Sequence, residues 1–136
     1  MKNRLEANKQ VVLKYVNAFN EGDFETLRSI FAEDAVVQGV MGRGTMEKAL
    51  AIWRMLHESL QVHLTVEQMV AEGNQVAVRY LERGAFVGTF RDHAPTGKPY
   101  ELIAMEWFVI RDGKIVQRWG ARDGESQARQ IGLPLR

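Results

Sequence analysis

Two carboxylates sit on the two arms of an apolar hairpin late in the chain, and the chemistry open to them is proton transfer. The stretch from Tyr100 to Asp123 reads as two strands joined at Asp112-Gly113, a pair that tolerates the positive φ angles of a tight hairpin turn. With Arg111 facing Lys114, an uninterrupted ladder sets Ile110 opposite Ile115, Phe108 opposite Gln117 and Glu106 opposite Trp119. It continues with Ala104 opposite Ala121 and Leu102 opposite Asp123, all on one face. The other face carries Trp107, Val109, Val116 and Arg118. A largely apolar face that also holds two acids and an amide reads as the wall of a ligand pocket.

Within that wall Asp123 is the first candidate for an acid/base catalyst, because desolvation beside an apolar cavity favours proton exchange by a carboxylate. The same residue could instead be an exposed carboxylate capping the turn at Asp123-Gly124. Glu106 is the second candidate. At about 3.3 Å per residue the two acids stand about 13 Å apart along the strand, too far to share a proton. Glu106 would then orient or polarise a ligand, or be held inside the fold by a salt bridge to Arg79 or Arg83. Tyr15, Phe19, Trp53, Phe86, Phe108 and Trp119 suit a flat, partly aromatic ligand, and equally suit a plain core. Gln117 could hydrogen-bond a carbonyl or face solvent. His93, in the loop before Pro95-Thr96-Gly97-Lys98, could touch a substrate at the cavity mouth. The spacing of His57, His63 and His93 suggests no metal site.

Helices and strands must bring these residues together. From about Ala7 to Asn20, Val12, Tyr15, Val16 and Phe19 share one helical face, and Asn20-Glu21-Gly22-Asp23 ends that helix and starts another. Phe24, Leu27, Ile30 and Phe31 stripe the second. Ala35 to Val40 is rich in strand formers and closes in a turn at Met41-Gly42-Arg43-Gly44. A third helix runs from an N-cap at Thr45 to about Ser59, with Met46, Ala49, Leu50, Trp53 and Leu56 inward. Thereafter the period is two. One strand carries Val62 to Val70, Glu72-Gly73-Asn74 turns the chain, and a second run spans Gln75 to Phe90, with Gly84 and Gly88 suggesting bulges or sharp bends. The last residues, GESQARQIGLPLR, read as a tail or one short turn. The order α, α, β, α and then four antiparallel strands predicts a single α+β domain, its curved sheet covered on the inner face by three helices.

Composition narrows the function. The chain has 136 residues, 46% hydrophobic and 26% charged, with a formal net charge of +1, interspersed signs and no cysteine. These values describe a globular protein without a nucleic-acid or membrane-binding surface, free of disulfides and thiolate metal sites. No apolar run reaches the length of a membrane span and the N-terminal residues lack a signal-peptide core, so a cytoplasmic location is expected. The outer sheet face, with Trp107, Val109 and Val116, is too apolar to leave in water and predicts a homodimer or higher oligomer.

Several motifs, taken in order, are similar to those of one family. Ala71 to Tyr80 (AEGNQVAVRY) is similar to "AEGDRVAVRW", Pro95 to Lys98 to the end of "PPTGK", Asp112 to Trp119 (DGKIVQRW) to "DGKIVEHW", and Gln130 to Pro134 to "QLG.P". The chain resembles the SnoaL-like polyketide cyclase branch of the NTF2-like α+β cone superfamily, over its single domain of residues 1–136. That resemblance implies a cofactor-independent cyclase. It would act by aldol-type ring closure or a related proton transfer on a small hydrophobic carbonyl compound, with Asp123 as the acid/base. NTF2-like relatives also include isomerases, dehydratases, epoxide hydrolases and non-catalytic ligand-binding or dimerisation modules, and these remain alternatives. Two departures from the family pattern, Phe86 in place of a polar His and Gln117-Arg118 in place of an acid and a His, imply a more apolar cavity.

Overall fold

The computed structural model describes residues 2–39 and 42–134. Val40 and Met41, which begin the turn expected before the third helix, lie outside the described residues, as do Leu135 and Arg136 of the expected tail. The elements are α1 (Lys2–Glu21), α2 (Phe24–Ile30), β1 (Phe31–Gly39), β2 (Gly42–Gly44) and α3 (Met46–Leu60), then β3 (His63–Glu72), β4 (Gln75–Ala85), β5 (Pro99–Arg111), β6 (Lys114–Arg122) and α4 (Gly124–Ile131). One curved, unclosed six-stranded sheet has the order β2-β1-β6-β5-β4-β3. It is mixed rather than wholly antiparallel, because β1 returns alongside β6 in parallel through Val36, Val37 and Gln38. The class is the expected α+β fold with helices on a bent sheet.

Local sequence accounts for the helices. Val12, Tyr15, Val16 and Phe19 of α1 are all buried, as their spacing requires. The Asp23 carboxylate accepts from Thr26 N at 3.1 Å and starts α2, and this hydrogen bond holds its pKa below the usual carboxylate value. Thr45 stands at the N-cap of α3 without a side-chain capping bond. At the far end of α1, Asn20 Nδ2 donates to Leu64 O and Asn20 Oδ1 accepts from Leu64 N, both at 2.8 Å. This amide occupies backbone groups on the edge strand β3 that would otherwise lack partners.

Two bulges set which side chains face inward. In the final hairpin Arg111 pairs with Lys114 and Ile110 with Ile115 as expected, but Val109 then pairs with Gln117, leaving Val116 as an extra residue. A bulge of one residue shifts every later pair by one. Phe108 therefore faces Arg118, Trp107 faces Trp119, Glu106 faces Gly120 and Ala104 faces Arg122. The pairing expected from an unbroken ladder is corrected from that point onward. A second shift, between Val66 and Gln68 of β3, turns Val70 to the exposed face.

The pairing of β4 with β5 is regular from Gln75↔Val109 to Ala85↔Pro99, so Gly84 is not a bulge. Gly84 instead permits a close approach, since a Cβ there would collide with the Leu60 carbonyl and the Tyr100 ring. The expected tail forms α4, capped at its start by Asp123 and at its end by Gly132, whose φ is 85°. Gln130 ties α4 to β5: its Oε1 accepts from Glu101 N at 2.9 Å and its Nε2 donates to Glu101 O at 3.0 Å.

Candidate active site

Alternation along β4 and β5 sends Glu82 and Glu106 to the inner face beside Tyr80, Tyr100 and Phe108, and all five are buried. The bulge at Val116 sends Arg118 and Arg122 of β6 to the same side. These side chains and the inner faces of the helices bound a cavity of about 420 Å³. Phe19, Ile52, Trp53, Leu56, Val62 and Leu64 form its apolar wall, and Glu82, Glu106, Arg118 and Arg122 its polar floor.

The floor is a connected network. Glu106 Oε2 accepts from Arg118 Nη2 and, at 3.3 Å, from the Tyr15 hydroxyl, while its Oε1 accepts from the Tyr80 hydroxyl at 2.9 Å. Arg122 Nε donates to Glu82 Oε1 at 2.7 Å, and the Tyr100 hydroxyl donates to Glu82 Oε2 at 2.7 Å. Arg122 Nη2 stands 4.0 Å from Glu106 Oε2, so one guanidinium reaches toward both acids. Arg118 Nη1 donates to Gln38 O at 3.3 Å, and its Cζ lies 5.5 Å from the centre of the Trp53 ring. Arg118 Nε has no hydrogen-bond partner among the described residues, and the ring face gives the cation a partial substitute.

The phenols are fixed as donors. Burial raises the Tyr15 pKa, Arg118 opposes the rise, and the neighbouring Glu106 charge adds to it; the net value is well above the usual tyrosine range. Burial and Glu106 act in the same direction on Tyr80, as do burial and Glu82 on Tyr100. For the guanidiniums, burial alone favours loss of charge. Glu106 outweighs it at Arg118, and Glu82 with Glu106 outweighs it at Arg122, so both remain cations.

Of the residues expected at the site, Glu106, Phe19 and Trp53 line the cavity. Tyr15, Phe86 and Phe108 are fully buried in the core and outside its lining, and Tyr15 meets the site only through its hydrogen bond to Glu106. Gln117 and Trp119 are corrected to the outer face, because the extra residue at Val116 reverses their side. His93 is exposed in the turn after β4, where its backbone pairs with Phe90, and does not line the cavity. Asp123 is also exposed. Its Oδ1 accepts from Ser126 N at 3.0 Å as the α4 cap, and the cavity is lined by Arg122 and Gly124 on either side of it but not by Asp123. The interior salt bridge foreseen for Glu106 is made, but to Arg118; Arg79 pairs with Glu67 and Arg83 with Glu101 on the outside. Among the described residues no cluster of three His, Asp or Glu side chains could hold a metal ion.

A family model described as SnoaL-like polyketide cyclase matches residues 9–131. The chain belongs to the SnoaL-like polyketide cyclase family. Its structure is similar to that of wild-type IdmH, a candidate polyketide cyclase from Streptomyces antibioticus, with 29% identity and a TM-score of 0.81, over 93% of this chain and 99% of that one. Two further likenesses concern the NTF2-like fold. AclR, a candidate hydroxylase from Streptomyces galilaeus, has 22% identity and a TM-score of 0.86, over 96% of this chain and 99% of that one. An LEH-like epoxide hydrolase from M. tuberculosis has 15% identity and a TM-score of 0.75, over 93% and 90%. No curated protein matches the chain in sequence.

Against the SnoaL-like pattern, the replacement of an acid and a His by Gln117-Arg118 does not make the cavity more apolar: it sets a buried guanidinium in the floor. Space for that group comes from Gly120, where a Cβ would lie 2.7 Å from Arg118 Nη2. Glu82, Arg118 and Arg122 are the site residues that sequence reasoning missed. For Glu82 the signal was present in Val76, Val78, Tyr80 and Glu82, four alternate residues of one strand that all face inward.

Proposed function

We propose that this SnoaL-like protein is an enzyme that moves protons on a small hydrophobic carbonyl compound, using its own side chains to close a ring by an aldol-type step. Glu82 is the base. It accepts two donors, Arg122 and Tyr100, whereas Glu106 accepts three, so Glu82 keeps more lone-pair capacity for a substrate proton. Arg122 polarises the carbonyl: only its Nε is committed to a hydrogen bond among the described residues, which leaves the Nη groups for an oxygen that gains negative charge. Glu106, clamped by Arg118 and two phenols, positions Arg122. The apolar wall holds the chain of the substrate folded over the reacting carbon and limits water.

The single observation that carries this reading is a guanidinium lying between two buried carboxylates in the floor of a cavity whose wall is apolar. In this arrangement Asp123 serves α4 as a cap and takes no part in proton transfer. The test is product analysis on a panel of hydrophobic polyketone esters and epoxides. Cyclised product from the ketones, lost in Glu82→Gln and kept in Asp123→Asn, supports the reading; diol from the epoxides as the sole product replaces it with water addition; and binding without turnover replaces it with a ligand-binding module.

The same reading includes a second copy of the chain. Val70, Ile103, Met105, Trp107 and Trp119 are exposed on the outer face, with Met105 at 55% and Trp107 at 47%, values too high for large apolar side chains on a surface that stays in water. Packing of that face against its twin gives the homodimer.

A further inference from the structure

Helix α4 buries one polar side chain that its packing does not require. Ala128 and Ile131 on its inner face are apolar, and Gln127 beside them is only 6% exposed. Gln130, three residues on, shows how an amide of this helix is satisfied: its Oε1 accepts from Glu101 N at 2.9 Å and its Nε2 donates to Glu101 O at 3.0 Å. Gln127 makes no such pair of bonds with any described residue and lines the cavity instead. A buried amide short of partners is costly, and a methionine would fill the same space without that cost.

The amide stands next to the proposed base. Tyr100 donates to Glu82 Oε2 at 2.7 Å and Arg122 Nε to Glu82 Oε1 at 2.7 Å, so the carboxylate has one donor on each side. Burial and the Glu82 charge raise the Tyr100 pKa, and the Gln127 amide acts in the opposite direction, which places one of its N–H groups toward the phenol oxygen. A carboxamide has a second N–H to give. Gly124, three residues before Gln127, also lines the cavity, and a Cβ there would meet nothing within 4 Å, so this turn of the helix borders open space. The helix itself is held at both ends. Ser126 N donates to Asp123 Oδ1 at 3.0 Å, and Thr96 Oγ1 donates to Ile131 O at 2.7 Å.

We infer that Gln127 is a ligand-binding residue, whose second N–H donates to an oxygen of the ligand other than the carbonyl oxygen held by Arg122. This rests on the reading of the cavity floor as the place where Arg122 takes a carbonyl and Glu82 a proton. It adds a requirement that proton transfer itself does not impose: oxygen on both sides of the carbon that faces Glu82. Loss of a proton from such a carbon leaves a charge shared by the two oxygens, and each then has its own donor, Arg122 on one side and Gln127 on the other.

The test is calorimetric titration with ethyl benzoylacetate, a β-keto ester, and with hexanophenone, a ketone of the same length in which methylenes replace the ester group. In Gln127→Met the ratio of keto ester to ketone affinity is expected to fall about threefold to tenfold from its wild-type value, the worth of one hydrogen bond. An amide that only supports Tyr100 would change both affinities equally. In the unmodified protein, a keto ester isotope-labelled at the ester carbonyl is expected to show that infrared stretch at lower frequency than in an apolar solvent. A ratio that Gln127→Met leaves unchanged, an ester stretch at its apolar-solvent frequency, or no binding of the keto ester overturns the inference. The readout is separate from turnover. The expected fall in ratio, in a protein that exchanges no substrate proton, keeps this inference and removes proton transfer by Glu82. Glu82-dependent exchange with an unchanged ratio does the reverse.

Discussion

Replacing Arg118 with Met is expected to be among the most destabilising single changes available in this chain. The Arg118 and Glu106 side chains are 5% and 1% exposed, so the substitution strands a carboxylate that is largely removed from solvent. Breaking one side of such a pair costs about 3–5 kcal/mol. Two features place the value near the lower limit, about 3 kcal/mol: Glu106 keeps its bonds from Tyr15 and Tyr80, and Arg122 Nη2 stands 4.0 Å away. Glu106→Gln strands the guanidinium instead and should also cost about 3 kcal/mol. The double variant removes both charges and keeps an amide for the phenols, so its expected cost is about 1–2 kcal/mol rather than the sum of about 6. Urea unfolding followed by tryptophan fluorescence would read each single change as a midpoint shift of about 1–3 M. Single variants that lose less than about 1 kcal/mol, or a double variant that loses the sum, would refute a buried and mutually dependent pair.

Four further outcomes are expected. The three tyrosines of the chain are Tyr15, Tyr80 and Tyr100, and all three donate to interior carboxylates. Their raised pKa values mean that the folded state holds these protons after the unfolded chain begins to release them near pH 10, so their contribution to stability is complete below about pH 10 and declines above it. Absorbance at the tyrosinate band should rise only together with unfolding, and a separate titration near pH 10 in the folded protein would contradict the burial. Gly120→Ala should displace the Arg118 guanidinium and cost about 1–3 kcal/mol by urea unfolding, with a neutral effect arguing against the packing at Gly120. Asp123→Ala should lose about 1 kcal/mol as a missing helix cap while Asp123→Asn loses little, and equal losses would show that the charge rather than the cap matters. Trp107→Glu should shift the sedimentation coefficient from dimer to monomer at micromolar protein; a wild-type monomer would dismiss the second copy.

The sequence revealed the fold more fully than the site, and single residues explain the gap. Helical spacing in α1 and the Asp112-Gly113 turn are local signals, and the change of period from helical to alternating after the third helix gave the order of elements. The bulge at Val116 has no such signal, since a β-branched residue fits a regular strand equally well. One inserted residue then exchanged the faces of Arg118 and Trp119, which moved an expected pocket aromatic outside and brought an unexpected cation inside. The parallel pairing of β1 with β6 joins segments some eighty residues apart and leaves no mark on local pattern. Helix α4 could have been read from Asp123 at its start and Gly132-Leu133-Pro134 at its end, but eight residues give a weak period. Motif position drew attention to Asp123, and only geometry shows that its oxygen is occupied by the helix it caps.

The most direct test is hydrogen–deuterium exchange at the carbon next to the carbonyl of a small hydrophobic ketone, followed by NMR in heavy water with the wild-type, Glu82→Gln and Asp123→Asn proteins. Wild type and Asp123→Asn are expected to accelerate exchange alike, and Glu82→Gln to reduce it by about a hundredfold or more, the usual contribution of a general base. Exchange that survives in Glu82→Gln and disappears in Asp123→Asn would contradict the assignment of the cavity floor as the place where the proton moves.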